Sequence, residues 1–392
     1  MNVILFDDPA VRLNLLPFTY TRPIGALRIG VLTIAEKWQL HLGGSVSWLT
    51  EGYLQDKFPC NRTHDNLFID GSVCPDEELV SCAGNLKPGE GLTWQGRVLV
   101  FRAASEKENP ISYREYPRTV TVIDQPWKIF QHNGAEIRKD FNRLTANRTS
   151  APVTDPHTRV YGANQIFLEE GVQLRAAVLN AEEGPIYLGK NTVVQEGALI
   201  KGPFALCEGS HVNMGAKMRG DVAIGPYCKV GGEVSTSVIL GFSNKAHDGF
   251  LGHSVIGEWC NLGADTNTSN LKNNYEPVKL WNYAKGGFVS TGLQFCGLMM
   301  GDHSKCGINT MFNTGTVAGV SANIFGDGFP RNFIPSFSWG GAGGFTTYQL
   351  NKALETMARV MERRNRKPDD NDIRILTHIF NETAPYRIWE RK

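Results

Sequence analysis

The stretch LGKNTVVQEGALIKGPFALCEGSHVNMGAKMRGDVAIGPYCKV, residues 188–230, decides how this chain folds. Every sixth position is apolar: Leu188, Val194, Ile200, Leu206, Val212, Met218, Ile224 and Val230. A period of six drifts around a helix of 3.6 residues per turn and never settles on one face. A half-buried strand needs apolar residues at alternate positions, where this stretch often carries Gln, Lys, Glu or Asn. The spacing instead predicts a parallel β-helix of hexapeptide repeats, in which each short strand sends one aliphatic side chain into a narrow triangular core. Gly189, Gly225 and Gly231 each follow a core position and would let the chain turn a corner.

The repeat extends in both directions. Upstream, Ile166, Val172 and Val178 keep the spacing before a register shift through Asn180 to Gly184. Downstream, Val238, Phe250, Ile256 and Leu262 resume it on a shifted frame, with Asn244 as the polar exception. After a loop it returns with Met300, Cys306, Phe312, Ala318 and Ile324. A solenoid is therefore expected over residues 166–335, leaving through the Gly-rich segment PSFSWGGAGGF. The tail, 346–392, is expected to hold two amphipathic helices, Tyr348–Arg364 and Asp372–Phe380. The basic run Arg363 to Lys367 is most simply a solvated helix end favoured by the macrodipole.

Residues 1–145 alternate apolar strands with helical segments, Val3–Phe6, Ile34–Leu42, Val46–Leu49, Arg97–Phe101 and Asp124–Phe141, which predicts an α/β domain with a doubly wound sheet. Residues 146–165 lack an apolar period and form the expected linker. With 392 residues the chain has room for two or three domains. Forty basic residues against 39 acidic ones give no electrostatic case for nucleic acid. No apolar run approaches the roughly 20 residues that span a bilayer. The opening MNVILFDDPAVRL lacks the basic region of a signal peptide and is expected to be a buried strand. Eight scattered cysteines without a C-x-x-C pair suit free thiols in a cytoplasmic protein and disfavour zinc.

Two resemblances add chemistry. The segment FDDPAVRLNLLPFTYTRPIGAL is similar to the opening signature of sugar-1-phosphate nucleotidyltransferases, a Gly-rich loop ending in Arg, then L-x-P-L-T, then Pro-Lys. Arg12 matches its arginine, Leu16-Pro17-Phe18-Thr19 its middle and Pro23 its proline. The departures are Asp7-Asp8-Pro9-Ala10-Val11 in place of the glycine loop and Ile24 in place of the lysine. Carboxylates and a proline there oppose a triphosphate, whereas Arg12, Arg22 and Arg28 would attract one. The resemblance implies a reduced Rossmann-like nucleotidyltransferase fold, with Arg12 and Arg22 toward a nucleoside triphosphate. It also implies Asp70, in LFIDGSVCP, on Mg²⁺. Asn133 reads better as a plain loop asparagine than as a further contact.

The second resemblance lies in SNKAHDGFLGHSVIGEWCNLGADTNTSNLKNNYEPVKLW, residues 243–281. It resembles the acetyltransferase half of the bifunctional N-acetylglucosamine-1-phosphate uridyltransferase/glucosamine-1-phosphate N-acetyltransferase family. That family's pattern is K-A-G-H-x-x-Y-L-G, then N-I-G-A-G-T, then Asn-Tyr. Lys245-Ala246-His247, Phe250-Leu251-Gly252, Asn261-Leu262-Gly263-Ala264 and Asn270 fall at the matching places. The family fold is a left-handed parallel β-helix in a homotrimer. Its roles carry over as His247 the general base on the amine, Asn270 orienting the amine or oxyanion, and Asn261 and Glu233 on the sugar. Lys217, Arg219 and Lys245 are the cationic candidates for the phosphate. Phe250, Leu271, Ser235 and Asp265 depart from the pattern, so the sugar or its phosphate would be held differently. The implied substrates are acetyl-coenzyme A and an amino-sugar phosphate, in UDP-N-acetylglucosamine-type biosynthesis. The rival expectations are a nucleotidyltransferase for another sugar 1-phosphate and a non-catalytic sugar-nucleotide-binding scaffold. His253 and His303 read as solvated loop residues.

Overall fold

A computed structural model describes residues 2–108 and 110–391. The chain forms two compact units. One runs to Leu15 and takes in Thr21–Leu27 and Leu32–Gln125; the other comprises Leu16–Tyr20, Arg28–Val31 and the chain from Pro126 onward.

The first unit is α/β. Its six-stranded sheet runs in the order Val46–Leu49, Asn2–Phe6, Asn66–Asp70, Arg97–Ala103, Glu90–Trp94, Ser112–Glu115. The first three strands are parallel, as βαβ alternation dictates, but Arg97–Ala103 lies antiparallel to both of its neighbours. The sheet is therefore mixed rather than doubly wound throughout: the short turn Gln95-Gly96 closes a hairpin, and a hairpin can only be antiparallel. Ile4, Phe68 and Phe101 form the centre of one face, the two phenyl rings stacked 4.8 Å apart. Helix Ile34–Leu42 starts at a capping box made by Thr33 and Glu36, and Trp38 is fully buried with its indole N–H on the Val73 carbonyl.

The second unit is the predicted solenoid. Three sheets of six, nine and ten strands wrap one core, parallel throughout except for the closing hairpin Ser338–Gly341 with Gly344–Thr347, and each coil is hydrogen-bonded to the next. All eight positions of the 188–230 series are core residues, and so are Met300, Cys306, Phe312, Ala318 and Ile324. At four places the inward residue is one position later than the spacing predicts: Leu179, Ile239, Lys245 and Leu251 point inward instead of Val178, Val238, Asn244 and Phe250. The coil lengths differ there, and sheet register from the neighbouring coil decides which residue points inward. Between Thr268 and Leu298 the chain leaves the solenoid and makes an antiparallel hairpin, Lys279–Asn282 with Gly287–Ser290.

Helix Pro126–Thr145 packs on the solenoid. Its Asn133 is no loop residue: it is fully buried, its side-chain oxygen accepts from Gly30 N and its amide donates to the Asp221 carbonyl, both at 2.8 Å. Gly134 beside it leaves room for Asp221: a Cβ there would stand 1.8 Å from an Asp221 carboxylate oxygen and push that side chain aside. One corner carries a ladder of stacked rings, Tyr227, Phe242, Trp259 and His303, each with positive φ. His303 is thus part of a stack rather than a solvated side chain.

The tail folds as helices Leu350–Glu362 and Asp370–Glu382. Its basic run is not simply solvated. The Arg366 guanidinium lies 5.0 Å from the Phe242 ring centre, and Arg364 donates to Asn244 at 2.9 Å. All eight cysteines are free, and among the described residues no helix is long and apolar enough to cross a membrane.

Ile200 and Leu199 give a paired test of this core, since the first is buried and its neighbour is 47% exposed. Ile200→Ala is expected to cost about 2–5 kcal/mol of stability, and Leu199→Ala less than about 0.5 kcal/mol, in denaturant titrations of the two variants.

Candidate functional site

The polar residues of 243–281 surround one coil of the solenoid. Strand Asn244–Lys245 belongs to the ten-stranded face and Phe250–Gly252 to the six-stranded face, and His247 lies in the corner between them. Its side chain is exposed. The loop beneath it sits tightly on the preceding coil: a Cβ on Gly232 would stand 2.8 Å from the His247 carbonyl oxygen, and Gly232 has a φ of +67°.

Lys245 explains how the loop is held. It occupies an inward strand position opposite Val230 and is only 2% exposed. Its ammonium turns back to donate to the carbonyls of His247 and, at 3.2 Å, Asp248. Burial pushes its pKa down to about 8, against the pull of Asp248. The structure therefore gives Lys245 a loop-bracing position, turned away from the surface where a phosphate would lie.

Two outward rows flank the corner. On the six-stranded face Lys217, Glu233 and Phe250 are register partners, and Asn267 accepts the Phe250 N–H at 2.8 Å. Arg219 is exposed and pairs with Glu233 at 2.8 Å. On the ten-stranded face Lys229, Asn244, Asn261 and Lys305 form the second row, with Asn261 exposed. His247 thus has Glu233 on one side of its corner and Asn261 on the other.

Asn270 stands elsewhere. Strand Phe250–Gly252 separates the corner of His247 from that of His253, and Asn270 bonds His253 Nδ1 through its side-chain nitrogen at 2.9 Å. His253 lies between two phenyl rings, Phe295 stacked at 5.1 Å and Phe130 edge-on at 5.6 Å. Burial pushes its pKa down to about 4, so it is neutral at pH 7. With Nδ1 accepting from Asn270, the ring proton sits on Nε2. His253 is no solvated loop residue, and its signal was its place: six residues after His247, within the repeat period.

The first unit holds the other three predicted residues. Asp8 caps the short helix Pro9–Asn14, accepting from the N–H groups of Ala10 and Val11, so its own carboxylate takes the donors a phosphate would use. Arg12 is buried, pairs with Asp7 at 3.1 Å and donates to Tyr53 at 2.8 Å; Arg22 is buried too. Asp7 also accepts from Thr50 and from Ile24 N. Asp70 is 1% exposed. One of its carboxylate oxygens accepts from Arg97 Nε at 2.6 Å, and the other from the Ser72 N–H and hydroxyl. Burial raises its carboxyl pKa, and Arg97 and Ser72 work against that rise. Arg97 opens an apolar strand, and nothing in its local sequence marks it as the partner of a residue 27 positions earlier.

Comparison with known proteins agrees with this division. Residues 3–149 match the family model described as sugar nucleotidyl transferase. The chain is 28% identical over 206 residues to a bifunctional sugar-1-phosphate nucleotidylyltransferase/acetyltransferase of Sulfurisphaera tokodaii, covering 52% of this chain and 48% of that one. It is 35% identical over 92 residues to the bifunctional protein GlmU of Methanocaldococcus jannaschii, covering 24% of this chain and 22% of that protein. An uncharacterised acetyltransferase, YaiX, of Escherichia coli O6:K15:H31 is 27% identical over 159 residues, 40% of this chain and 68% of its own. The matches thus span about half the length of the first relative and about a fifth of the second. An α/β front that matches the sugar nucleotidyl transferase model over residues 3–149, joined to a hexapeptide solenoid with acetyltransferase likeness, makes this chain similar to the bifunctional sugar-1-phosphate nucleotidylyltransferase/acetyltransferases.

Proposed function

We propose that the solenoid transfers an acetyl group from acetyl-coenzyme A to the amine of an amino-sugar 1-phosphate, a step of UDP-N-acetylglucosamine-type biosynthesis. The observation that carries this reading is the exposed His247 at a corner flanked by Glu233 and Asn261. The acetyltransferase names of two relatives support it. His247 takes the amine proton as the nitrogen lone pair attacks the thioester carbonyl carbon. The C–S bond of the resulting tetrahedral adduct breaks, and the leaving thiolate receives that proton. Asn270 spends one amide hydrogen on His253 and has a second for the developing oxyanion. Arg219, exposed beside Glu233, and Lys217 are the cations for the sugar phosphate.

His247 and Asn270 occupy opposite edges of one face within a protomer, so in this reading the reacting amine lies between neighbouring solenoids of a homotrimer. Thiol release from acetyl-coenzyme A with glucosamine-1-phosphate tests the chemistry. His247→Ala is expected to slow it by about 10²–10⁴-fold; an unchanged rate would remove His247 as the base. Co-expressing His247→Ala with Asn270→Ala chains tests the shared site. Randomly mixed trimers regain roughly a quarter of intact sites if each site draws on two protomers, and none if it draws on one.

Nucleotidyl transfer in the front unit meets a structural obstacle. Its relatives' chemistry implies a divalent cation, which would need the Asp70 carboxylate, and both oxygens of that group are occupied by Arg97 and Ser72. No cluster of three or more metal-ligating side chains occurs among the described residues. These residues do not fit Mg²⁺, and no step is derived through one. A front that binds a nucleotide sugar without turning it over is the reading this closure favours. Electron paramagnetic resonance titration with Mn²⁺ is expected to show no ion whose binding depends on Asp70, and an Asp70-dependent signal in the wild-type protein would reverse this. Arg97→Ala is expected to lower stability by about 3 kcal/mol, since it strands a buried carboxylate.

A further inference from the structure

The excursion and the tail enclose a second concavity. It has a volume of about 1340 Å³ and lies among the hairpin Lys279–Ser290, the Gly-rich hairpin Ser338–Thr347 and the last turns of the chain. Trp281, Phe288, Phe333, Phe345, Tyr386 and Trp389 line it. Trp281 and Phe333 stack face to face 4.1 Å apart, with Phe288 edge-on to Trp281 at 5.5 Å. The buried indole N–H of Trp281 has no hydrogen-bond partner. A buried donor left unmet is costly, and a ligand acceptor is one way to meet it.

The charge of the lining is one-sided. Lys272, Lys279, Arg331 and Arg391 all border the cleft, and among the described residues no Asp or Glu does. Arg391 and Lys272 each donate to one backbone carbonyl, of Pro385 and Pro277. The side chains of Lys279 and Arg331 are exposed and make no hydrogen bond or ion pair among the described residues. Four like charges around one aromatic concavity repel each other, and a bound anion relieves that repulsion. The wall Gly341-Ala342-Gly343-Gly344 adds a stretch of backbone that side chains do not cover; a Cβ on Gly343 or Gly344 would meet nothing within 4 Å. Such backbone admits close approach of a phosphate.

We propose that this cleft binds a nucleoside diphosphate moiety, its base against the Trp281–Phe333 stack and its phosphates at Lys279, Arg331 and the Gly-rich hairpin. Aromatic platforms hold any base through its π-face, and guanidinium groups match phosphate oxygens in pairs. A neutral sugar would use the rings but leave the cations unmatched. Coenzyme A and a uridine diphosphate sugar both carry this chemistry. The assignment follows from the lining alone and stands whether or not the solenoid transfers acetyl groups.

The test is binding to the full-length protein without turnover. Titration calorimetry would use coenzyme A, UDP-N-acetylglucosamine and, as the neutral control, N-acetylglucosamine, with quenching of tryptophan emission followed in parallel. At least one nucleotide is expected to bind, more weakly as salt rises, while the neutral sugar does not. Arg331→Glu and Lys279→Glu, both at exposed positions that should not disturb folding, are expected to weaken it at least tenfold. Coenzyme A as the ligand assigns the cleft to the acyl donor's nucleotide end, and UDP-N-acetylglucosamine assigns it to a nucleotide sugar. Three results overturn the proposal: neither nucleotide binds, binding is indifferent to both charge reversals, or the reversals change only self-association in sedimentation. Because His247→Ala is predicted to slow transfer and leave this binding intact, failure of one reading is separable from failure of the other.

Discussion

The narrow triangular core of the solenoid constrains everything else in the second unit. Each face admits one or two inward side chains per coil, and backbone hydrogen bonds to the coils above and below hold the faces in register. Burial of those side chains is the main favourable term, and the parallel ladders satisfy the backbone groups that burial strands. A chain under this constraint has freedom only at corners, on outward rows and in excursions. The candidate chemistry uses all three: His247 at a corner, Glu233 and Asn261 on outward rows, Asn270 at the start of the excursion.

Lys245 shows the constraint at its sharpest. The coil needs a residue in that inward position, and the chain supplies a lysine whose ammonium must then find acceptors within reach. It finds the carbonyls of the His247 loop. An inward lysine costs burial energy that a leucine would not, and its effect is to brace a surface loop from inside the core. His253 is the mirror case, a histidine kept neutral between two phenyl rings and locked in one tautomer by Asn270.

In the front unit, the loop that follows the first strand is filled by the chain's own charges. Asp8 caps the helix that follows, Asp7 and Arg12 satisfy each other, and Arg97 neutralises Asp70. The buried Asp7 and Asp70 each carry an arginine with them, because an unpaired buried charge would cost several kcal/mol. The aspartates that depart from the glycine-loop pattern are therefore part of a closed network rather than isolated replacements. The front keeps an α/β fold over the residues that match the sugar nucleotidyl transferase model, and its polar centre is turned inward.

The sequence by itself determined the solenoid, because a period of six in apolar residues has one physical outcome and is read without knowing any contact. It also determined the two tail helices and the α/β character of the front, through local apolar period and the alternation of strand and helix patterns. It could not place the inward residue at Leu179, Ile239 and Leu251, where coil length changes and register comes from the adjacent coil. Nor could it pair Arg97 with Asp70, seat Arg366 on Phe242, or enclose His253 between Phe130 and Phe295. Those contacts join residues from 27 to more than 120 positions apart, and no local pattern encodes them. The candidate residues were legible because they interrupt a regular repeat. Which of them face solvent, brace a loop or fill a core was decided only when the coils stacked.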